Sequence, residues 1–149
     1  MKKMHNLDIY RDKRSGGFFI IPNFITKIGY GMTFNKTYTF DADVTPEVLG
    51  DAVKKSIIDI ENYIETGNEK SETAAYTIVT GIKSWSKFVR LHDIVNVTYD
   101  YNEYCIEKWE RKNDNSYQNY DDRQVLKLLN DCDSSEIGKA IFDAFQHHT

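Results

Sequence analysis

The stretch that decides the fold class is Val95-Asn96-Val97-Thr98-Tyr99-Asp100-Tyr101-Asn102-Glu103-Tyr104-Cys105-Ile106-Glu107-Lys108-Trp109. Val95, Val97 and Tyr99 alternate with polar residues, which is the period of two of a half-buried strand. Residues 100–102 are turn formers, and residues 104–109 continue as a second extended run. The stretch predicts a β-hairpin and therefore an antiparallel sheet.

Two further strands are predicted upstream of this hairpin. Residues 18–21 form a short apolar run that is entered from Gly16-Gly17 and stopped by Pro22, as expected for a strand buried on both faces. Between residues 32 and 40 the apolar Met32, Phe34, Tyr38 and Phe40 alternate with Thr33, Asn35, Thr37 and Thr39. This alternation is the clearest strand pattern in the chain.

A long helix is predicted after these strands, over residues 46–66. Thr45-Pro46 supplies an N-cap residue followed by proline at the first helical position. Apolar residues then recur at three- and four-residue steps from Leu49 to Ile64, and Gly67 is a natural stop.

The remaining elements follow from weaker signals. Residues 82–90 predict a short helix, residues 111–122 an exposed polar loop and residues 125–129 a further strand. A capping-box pattern at Asp133 predicts a last helix over residues 135–146. The fold class is thus α+β, a mostly antiparallel sheet of about five strands with helices packed on it.

The two longer helices share a template, apolar-Gly-charged-Ala-apolar, around Gly50 and Gly138. Glycine inside a helix costs about 0.5–1 kcal/mol relative to alanine. A packing reason is therefore expected, and we predict that each helix approaches the sheet closely at its glycine.

Length and composition indicate one domain, residues 1–149, because 40% hydrophobic and 28% charged residues are an ordinary globular balance. No run reaches the roughly 18 apolar residues of a membrane helix, and the N-terminus lacks the apolar segment of a secretory signal. Cys105 and Cys132 have no disulfide or metal-ligand spacing. We therefore expect a cytoplasmic protein with reduced thiols and no membrane contact.

The charge is unevenly distributed along the chain. Residues 1–44 carry seven basic and four acidic side chains, residues 45–90 six and seven, and residues 91–149 six and twelve, which together give the net charge of −4. Phosphate binding usually needs a clustered basic surface, so nucleic acid is not an expected partner. The acidic last third suits a basic partner instead.

A search for catalytic and cofactor motifs finds none with the required spacing. The four histidines form no metal-binding motif, and no dinucleotide or phosphate-loop signature is present. Neither a metal nor another cofactor is expected. A carboxylate pair such as Glu103 with Glu107, or the thiol of Cys105, leaves a small hydrolase as an alternative.

Residues 99–122 have the composition of a protein interface. Five of the ten tyrosines and Trp109 lie there among acidic residues, and aromatic side chains with a charged rim are typical of binding surfaces. The candidate binding residues are Tyr101, Glu103, Glu107, Asp114, Tyr117, Tyr120, Asp121 and Asp122.

Four segments, taken in order, resemble the CdiI-type immunity proteins of bacterial contact-dependent growth inhibition systems. They are Gly17-Phe18-Phe19-Ile20-Ile21, Leu49-Gly50-Asp51-Ala52-Val53, Gly81-Ile82-Lys83-Ser84-Trp85-Ser86-Lys87-Phe88, and Glu136-Ile137-Gly138-Lys139-Ala140-Ile141-Phe142-Asp143-Ala144-Phe145. The resemblance spans most of the chain. Its motifs bear on the fold and carry no site residues over to this sequence.

The resemblance implies a small α+β protein that binds a cognate toxin C-terminal domain, commonly a nuclease, and blocks it without being an enzyme or taking a small-molecule substrate. A regulatory adaptor is the other non-enzymatic alternative. Two binding modes are open. In one, the acidic, aromatic surface occludes a basic toxin site. In the other, the edge of the 93–109 hairpin pairs with an extended toxin segment.

Overall fold

The structure, a computed structural model, describes residues 4–25, 31–33, 36–63, 74–111, 117–118 and 125–146. Within these ranges the chain forms four α-helices and eight β-strands. In chain order they are β1 (His5–Asp12), β2 (Phe18–Ile25), β3 (Gly31–Thr33), β4 (Tyr38–Phe40), α1 (Pro46–Glu61), α2 (Ala75–Thr80), α3 (Trp85–Leu91), β5 (His92–Tyr99), β6 (Glu103–Arg111), β7 (Tyr117–Gln118), β8 (Leu126–Leu129) and α4 (Ser134–Gln146).

The strands form one antiparallel sheet. Its centre has four long strands in the order β2-β1-β5-β6. Two short strands, β3 and β4, pair with the outer edge of β2, and β7 and β8 pair with the outer edge of β6. The predicted α+β class is confirmed. The described strands number eight rather than the expected five, because β1 and β7 were not predicted and the strand expected over residues 32–40 is divided into β3 and β4.

Helices α1 and α4 cover one side of the sheet, which we call the first face. Their apolar stripes pack on alternate residues of the central strands, among them Leu7, Ile9 and Val97, to form the larger core. Of the helices in the described ranges, none is long and apolar enough to cross a membrane.

The two long helices begin where the sequence predicts. Thr45 Oγ1 accepts a hydrogen bond from the Val48 N–H at 3.3 Å, with Pro46 as the first helical residue. Asp133 Oδ1 accepts one from the Glu136 N–H at 2.9 Å. Helix α1 ends at Glu61 rather than at residue 66, because Asn62 takes the C-cap position. Gly67, the predicted stop, lies outside the described residues.

The glycine of each long helix lies against the other long helix and not against the sheet, so the predicted contact was wrong. A β carbon at Gly50 would overlap the backbone carbonyl of Ser134, and one at Gly138 would overlap that of Pro46. Each glycine therefore lies against the first turn of the other helix. The shared template marks a reciprocal helix crossing, at which the two backbones come too close for any side chain.

Helices α2 and α3 cover part of the opposite side, which we call the second face. Phe88 of α3 is fully buried there against Tyr10 and Phe19. Helix α3 begins at Trp85 rather than at residue 82, because Ser84 caps it by accepting a hydrogen bond from the Lys87 N–H. The second face is thus apolar at one end, below α3.

Three strand predictions need correction. Strand β2 does not stop at Pro22 but continues to Ile25. On its outer edge, β4 pairs with residues 18–20 and β3 with residues 23–25. Pro22 lies between these two pairings, so neither of them needs the backbone N–H that proline lacks. The single strand expected over residues 32–40 is divided into β3 and β4, with residues 34–35 outside the described part. Two residues of the expected 111–122 loop form β7.

The 93–109 hairpin is present but is not a free edge. Strand β5 lies between β1 and β6. Strand β6 pairs with β8 over residues 103–106 and with β7 at residues 110–111. The hairpin therefore lies inside the sheet, and strand addition along it is not supported.

Candidate functional site

The tip of the β5–β6 hairpin is held in one conformation. Asp100 Oδ1 accepts hydrogen bonds from the N–H groups of Asn102 and Glu103, both at 2.9 Å. These bonds lower the pKa of Asp100. Tyr101 has a positive φ of 73°, and its carbonyl accepts a bond from Asn130 Nδ2 at 2.7 Å. The turn thus fixes the direction of the Tyr101 side chain.

The Tyr101 side chain turns towards the end of helix α1. Its hydroxyl donates to the Glu61 carboxylate and lies 2.8 Å from His5 Nε2. The ring of Tyr99 stacks on Tyr104 and contacts Tyr101, with centroid distances of 4.4 and 4.8 Å. Burial and the Glu61 carboxylate raise the pKa of Tyr101, and burial raises that of Tyr104 to about 12. These phenols stay neutral at physiological pH.

Replacing Tyr101 by Phe is expected to lower the free energy of unfolding by about 1 kcal/mol, because the Glu61 carboxylate and His5 both lose their contact to the hydroxyl. Urea unfolding measures this. Tyr99→Phe is the matched control, since the Tyr99 hydroxyl has no hydrogen bond within the described residues. Equal effects of the two substitutions would contradict the assigned contact.

Glu103 and Glu107 project to the second face, away from Tyr101. Successive side chains of a strand point to opposite faces, and the buried Tyr104 and Ile106 belong to the first-face core. Glu107 lies opposite Asn96 of β5 in the ladder. The predicted site is therefore divided between the hairpin tip, with Tyr101, and the second face, with the two glutamates.

Cys105 lies between these glutamates. Its thiol contacts Glu103 Oε1 at 3.8 Å, and burial together with the Glu103 carboxylate raises its pKa. A thiol with a raised pKa is a poor nucleophile. The environment of Cys105 therefore does not favour the hydrolase alternative.

Of the other predicted binding residues, Tyr117 is the one that lies within the described part of the chain. Tyr117 lies in β7, opposite Arg111 of β6. Asp114, Tyr120, Asp121 and Asp122 lie outside the described residues. Their part in binding stays a prediction.

The second face carries a polar cluster that the sequence reasoning missed. Asp8 lies at its centre, and its two carboxylate oxygens accept hydrogen bonds from Asn96 Nδ2 at 2.9 Å and Asn23 Nδ2 at 3.0 Å. The same two amide groups donate to Asn6 Oδ1 at 2.7 and 3.3 Å. We call these four residues the Asp8 cluster.

The signal for this cluster was available in strand β1. Leu7 and Ile9 alternate with Asn6, Asp8 and Tyr10, which is the pattern of a strand with one apolar and one polar face. No strand is predicted over these residues in the sequence analysis. Without it, nothing in the sequence brings residues 6, 8, 23 and 96 together.

The Asp8 cluster continues into the predicted site. Asp8 pairs with Asn96 across β1 and β5, and Asn96 pairs with Glu107 across β5 and β6. Directly opposed residues of neighbouring strands have Cβ atoms about 4.5–5.5 Å apart. The row from Asp8 to Glu107 thus gives the second face two carboxylates around one buried asparagine.

Burial raises the pKa of Asp8, and the hydrogen bonds from Asn23 and Asn96 offset this only in part. The folded state then holds the Asp8 proton more tightly than the unfolded state. Stability that depends on Asp8 should therefore fall as the pH rises from 3.8 through the folded-state pKa. The other ionisable group of the row is Glu107.

The free energy of unfolding of the wild type should consequently decline relative to that of Asp8→Asn as the pH rises from about 4 to about 7. Urea unfolding of both proteins across this range measures the difference. A difference that stays constant with pH would show that burial does not perturb the Asp8 carboxyl.

A search of the described residues finds no group of three or more His, Cys, Asp or Glu side chains that could hold a metal ion. The ligand chemistry of the second face is that of carboxylates and amides. These groups suit a cationic hydrogen-bond donor on a partner.

Comparison with known proteins gives no match to a family model or to a curated protein. Several solved structures share the fold, among them the following two. One is a chain of the CdiA-CT/CdiI toxin and immunity complex from Yersinia pseudotuberculosis, with a TM-score of 0.72, 10% identity and 97% coverage of both chains.

The other is a protein of unknown function from Neisseria meningitidis, with a TM-score of 0.70, 13% identity, and coverage of 97% of this chain and 94% of that chain. At such identities the comparisons establish the shared fold. The chain therefore has the fold of a protein from a CdiA-CT/CdiI toxin and immunity complex, which confirms the fold that the sequence resemblance implies.

Proposed function

We propose that this chain is an immunity protein that binds the C-terminal domain of a cognate contact-dependent growth inhibition toxin, a nuclease, and neutralises it in the cytoplasm. The observation that carries the proposal is the likeness to a chain of a CdiA-CT/CdiI toxin and immunity complex over 97% of both chains. The sequence resemblance points to the immunity member of such a pair. In this role the protein is not an enzyme.

The mechanism is occlusion of the toxin site by an acidic surface. A nuclease must attract phosphate, so its active site is usually basic. Glu103 and Glu107 on the second face, together with Asp8, present carboxylates to such a site. Opposite charges speed the encounter, and the bound protein then excludes the nucleic acid.

The hairpin tip supplies a rigid aromatic contact on the other side of the sheet from these carboxylates. Tyr101 is fixed by its turn and by Glu61, so little side-chain entropy is lost when a partner contacts its ring. We propose that Asp114, Tyr117, Tyr120, Asp121 and Asp122 extend the same binding surface.

The test is to mix the purified chain with the toxin domain encoded by the adjacent gene. Analytical ultracentrifugation should show a stable complex, and cleavage of DNA and RNA by the toxin domain should stop when the chain is added. If both proteins are folded and no complex forms, the proposal is wrong. A complex with a toxin that cleaves neither nucleic acid would refute only the nuclease class.

Ionic strength tests the electrostatic part. The association rate constant should fall as salt rises from about 0.05 to about 0.5 M, because screening shortens the reach of exposed charges. A salt-insensitive rate would contradict steering while leaving binding itself intact. Capture of an unrelated protein from the native host, with no toxin domain, would favour the adaptor alternative.

A further inference from the structure

The Asp8 cluster holds a carboxylate in an unusual setting. Asp8 is half-buried, and none of the described residues places a basic group within ion-pair distance of it. Its stabilisation comes from the neutral amides of Asn23 and Asn96. A buried carboxylate is usually paired with a cation, and within the described part of the chain no cation completes the cluster.

The hydrogen bonds within the Asp8 cluster determine which of its donor and acceptor atoms remain available to a partner. A carboxylate only accepts hydrogen bonds, so the amide groups that face Asp8 must be the Nδ2 groups. Asn23 Nδ2 and Asn96 Nδ2 each donate to Asp8 and also to Asn6 Oδ1. Both hydrogens of each group are thereby used inside the cluster. The side-chain oxygens of Asn23 and Asn96 make no hydrogen bond within the described residues.

The Asp8 cluster therefore has more hydrogen-bond acceptors than donors. Among the described residues each Asp8 oxygen accepts one bond, from an amide, which leaves a lone pair on each oxygen for a further donor. These lone pairs and the two asparagine oxygens lie on one side of the sheet. Asn96 forms the floor with only 4% of its surface exposed, while Asp8 and Asn23 are half-buried and reachable from solvent.

We propose that the Asp8 cluster is a preformed receptor for the guanidinium group of an arginine on the toxin. This inference rests on the proposed function and names a chemical contact within it. Guanidinium carries five donors in a planar fork and no acceptor, and it binds carboxylates in a bidentate manner. It therefore matches a partly buried carboxylate flanked by amide oxygens better than the compact, strongly hydrated ammonium of lysine does.

The burial of Asp8 should increase the affinity of its contact with the guanidinium group. The free protein has already desolvated much of this carboxylate and fixed its orientation through two amides. The cost of ordering and dehydrating an acceptor is thus met during folding rather than during binding. An exposed surface ion pair is worth little by comparison.

Asp8→Asn is the decisive variant, because it removes the charge and keeps the size of the side chain. Asp93→Asn is the matched control: Asp93 is also on a central strand, and its carboxylate lies 3.8 Å from the Lys13 ammonium. Binding to the toxin domain of the adjacent gene is measured by calorimetry. We expect Asp8→Asn to weaken binding at least about 30-fold, mainly through faster dissociation, and Asp93→Asn to leave it unchanged.

Unfolding in urea at neutral pH accompanies this measurement. If Asp8→Asn is at least as stable as the wild type and binds weakly, the loss belongs to the contact and not to the fold. Binding of Asp8→Asn with wild-type affinity would overturn the receptor while leaving the immunity function in place. Equal weakening by Asp93→Asn would overturn it as well, because the effect would then be general electrostatics.

A second measurement needs no toxin. Methylguanidinium is titrated against the isotopically labelled protein, and the side-chain amide signals of Asn23 and Asn96 are followed by NMR. They should shift in the wild type, shift less with methylammonium, and stay unmoved in Asp8→Asn. Signals that do not move in the wild type, or move equally in Asp8→Asn, would overturn the receptor. Failure of the toxin domain to bind at all would refute the proposed function alone.

Discussion

Gly138→Ala is expected to destabilise the protein by about 3 kcal/mol, although alanine is the better helix former by about 0.5–1 kcal/mol. The new methyl group would overlap the backbone carbonyl of Pro46 in the first turn of α1. A backbone atom in a helix cannot rotate away as a side chain can. The two helices must separate, which opens the first-face core that both of them cover.

Gly50→Ala should have a similar effect through Ser134. The double variant should lose less than the two single losses combined, because one separation of the helices relieves both overlaps. Chemical denaturation of the three variants measures this. Lys139→Ala, at an exposed position next to Gly138, is the control and should change stability by less than about 0.5 kcal/mol. A stabilised Gly138→Ala protein would show that the helices are not in close contact.

The second large effect concerns the encounter with the toxin. Glu103→Lys combined with Glu107→Lys should lower the association rate constant at low salt by about 10-fold or more, because the second face then repels a basic partner. Stopped-flow mixing with the toxin domain measures the rate. The effect should diminish as salt is added.

The control is Glu47→Lys combined with Asp143→Lys, which makes the same change of charge at exposed positions of α1 and α4, the helices that cover the first face. It should leave the rate nearly unchanged. Equal slowing by both pairs of substitutions would mean that net charge steers the encounter and that the second face has no special part. Unaltered urea midpoints would separate either result from an effect on folding.

The helix ends and the hairpin could be predicted because their signals are local. A proline after a threonine starts a helix whatever surrounds it, and Thr45 caps α1 as expected. The turn residues after Tyr99 form the hairpin in the same way. Strand β1 gave a weaker signal, since its polar face contains asparagine and aspartate, which are uncommon in strands.

Non-local packing explains the errors. Pro22 can lie within a strand because the pairing of β2 with β4 ends before it and the pairing with β3 begins after it. Neither β3 nor β4 is adjacent to Pro22 in sequence, so a local pattern could not predict this. The glycine template predicted a close approach, but its partner depended on how α1 and α4 cross. Helix α2 was missed because its threonine, isoleucine and valine residues favour strands.

The candidate site could be predicted only in part, because its residues are also brought together by non-local packing. Composition identified Glu103 and Glu107 in a region rich in tyrosine and acidic residues. It could not show that Tyr101 turns to the opposite side of the sheet, towards Glu61 and His5. Nor could it show that Asp8 joins the row that ends at Glu107, because that contact spans three strands.

Neutralisation of the toxin by this chain can be measured as bacterial growth. The toxin domain of the adjacent gene is expressed in bacterial cells from one inducible promoter and this chain from another. The toxin domain alone should arrest growth, and induction of this chain should restore it. Persistent arrest in cells that contain the folded chain in molar excess over the toxin domain would contradict the account.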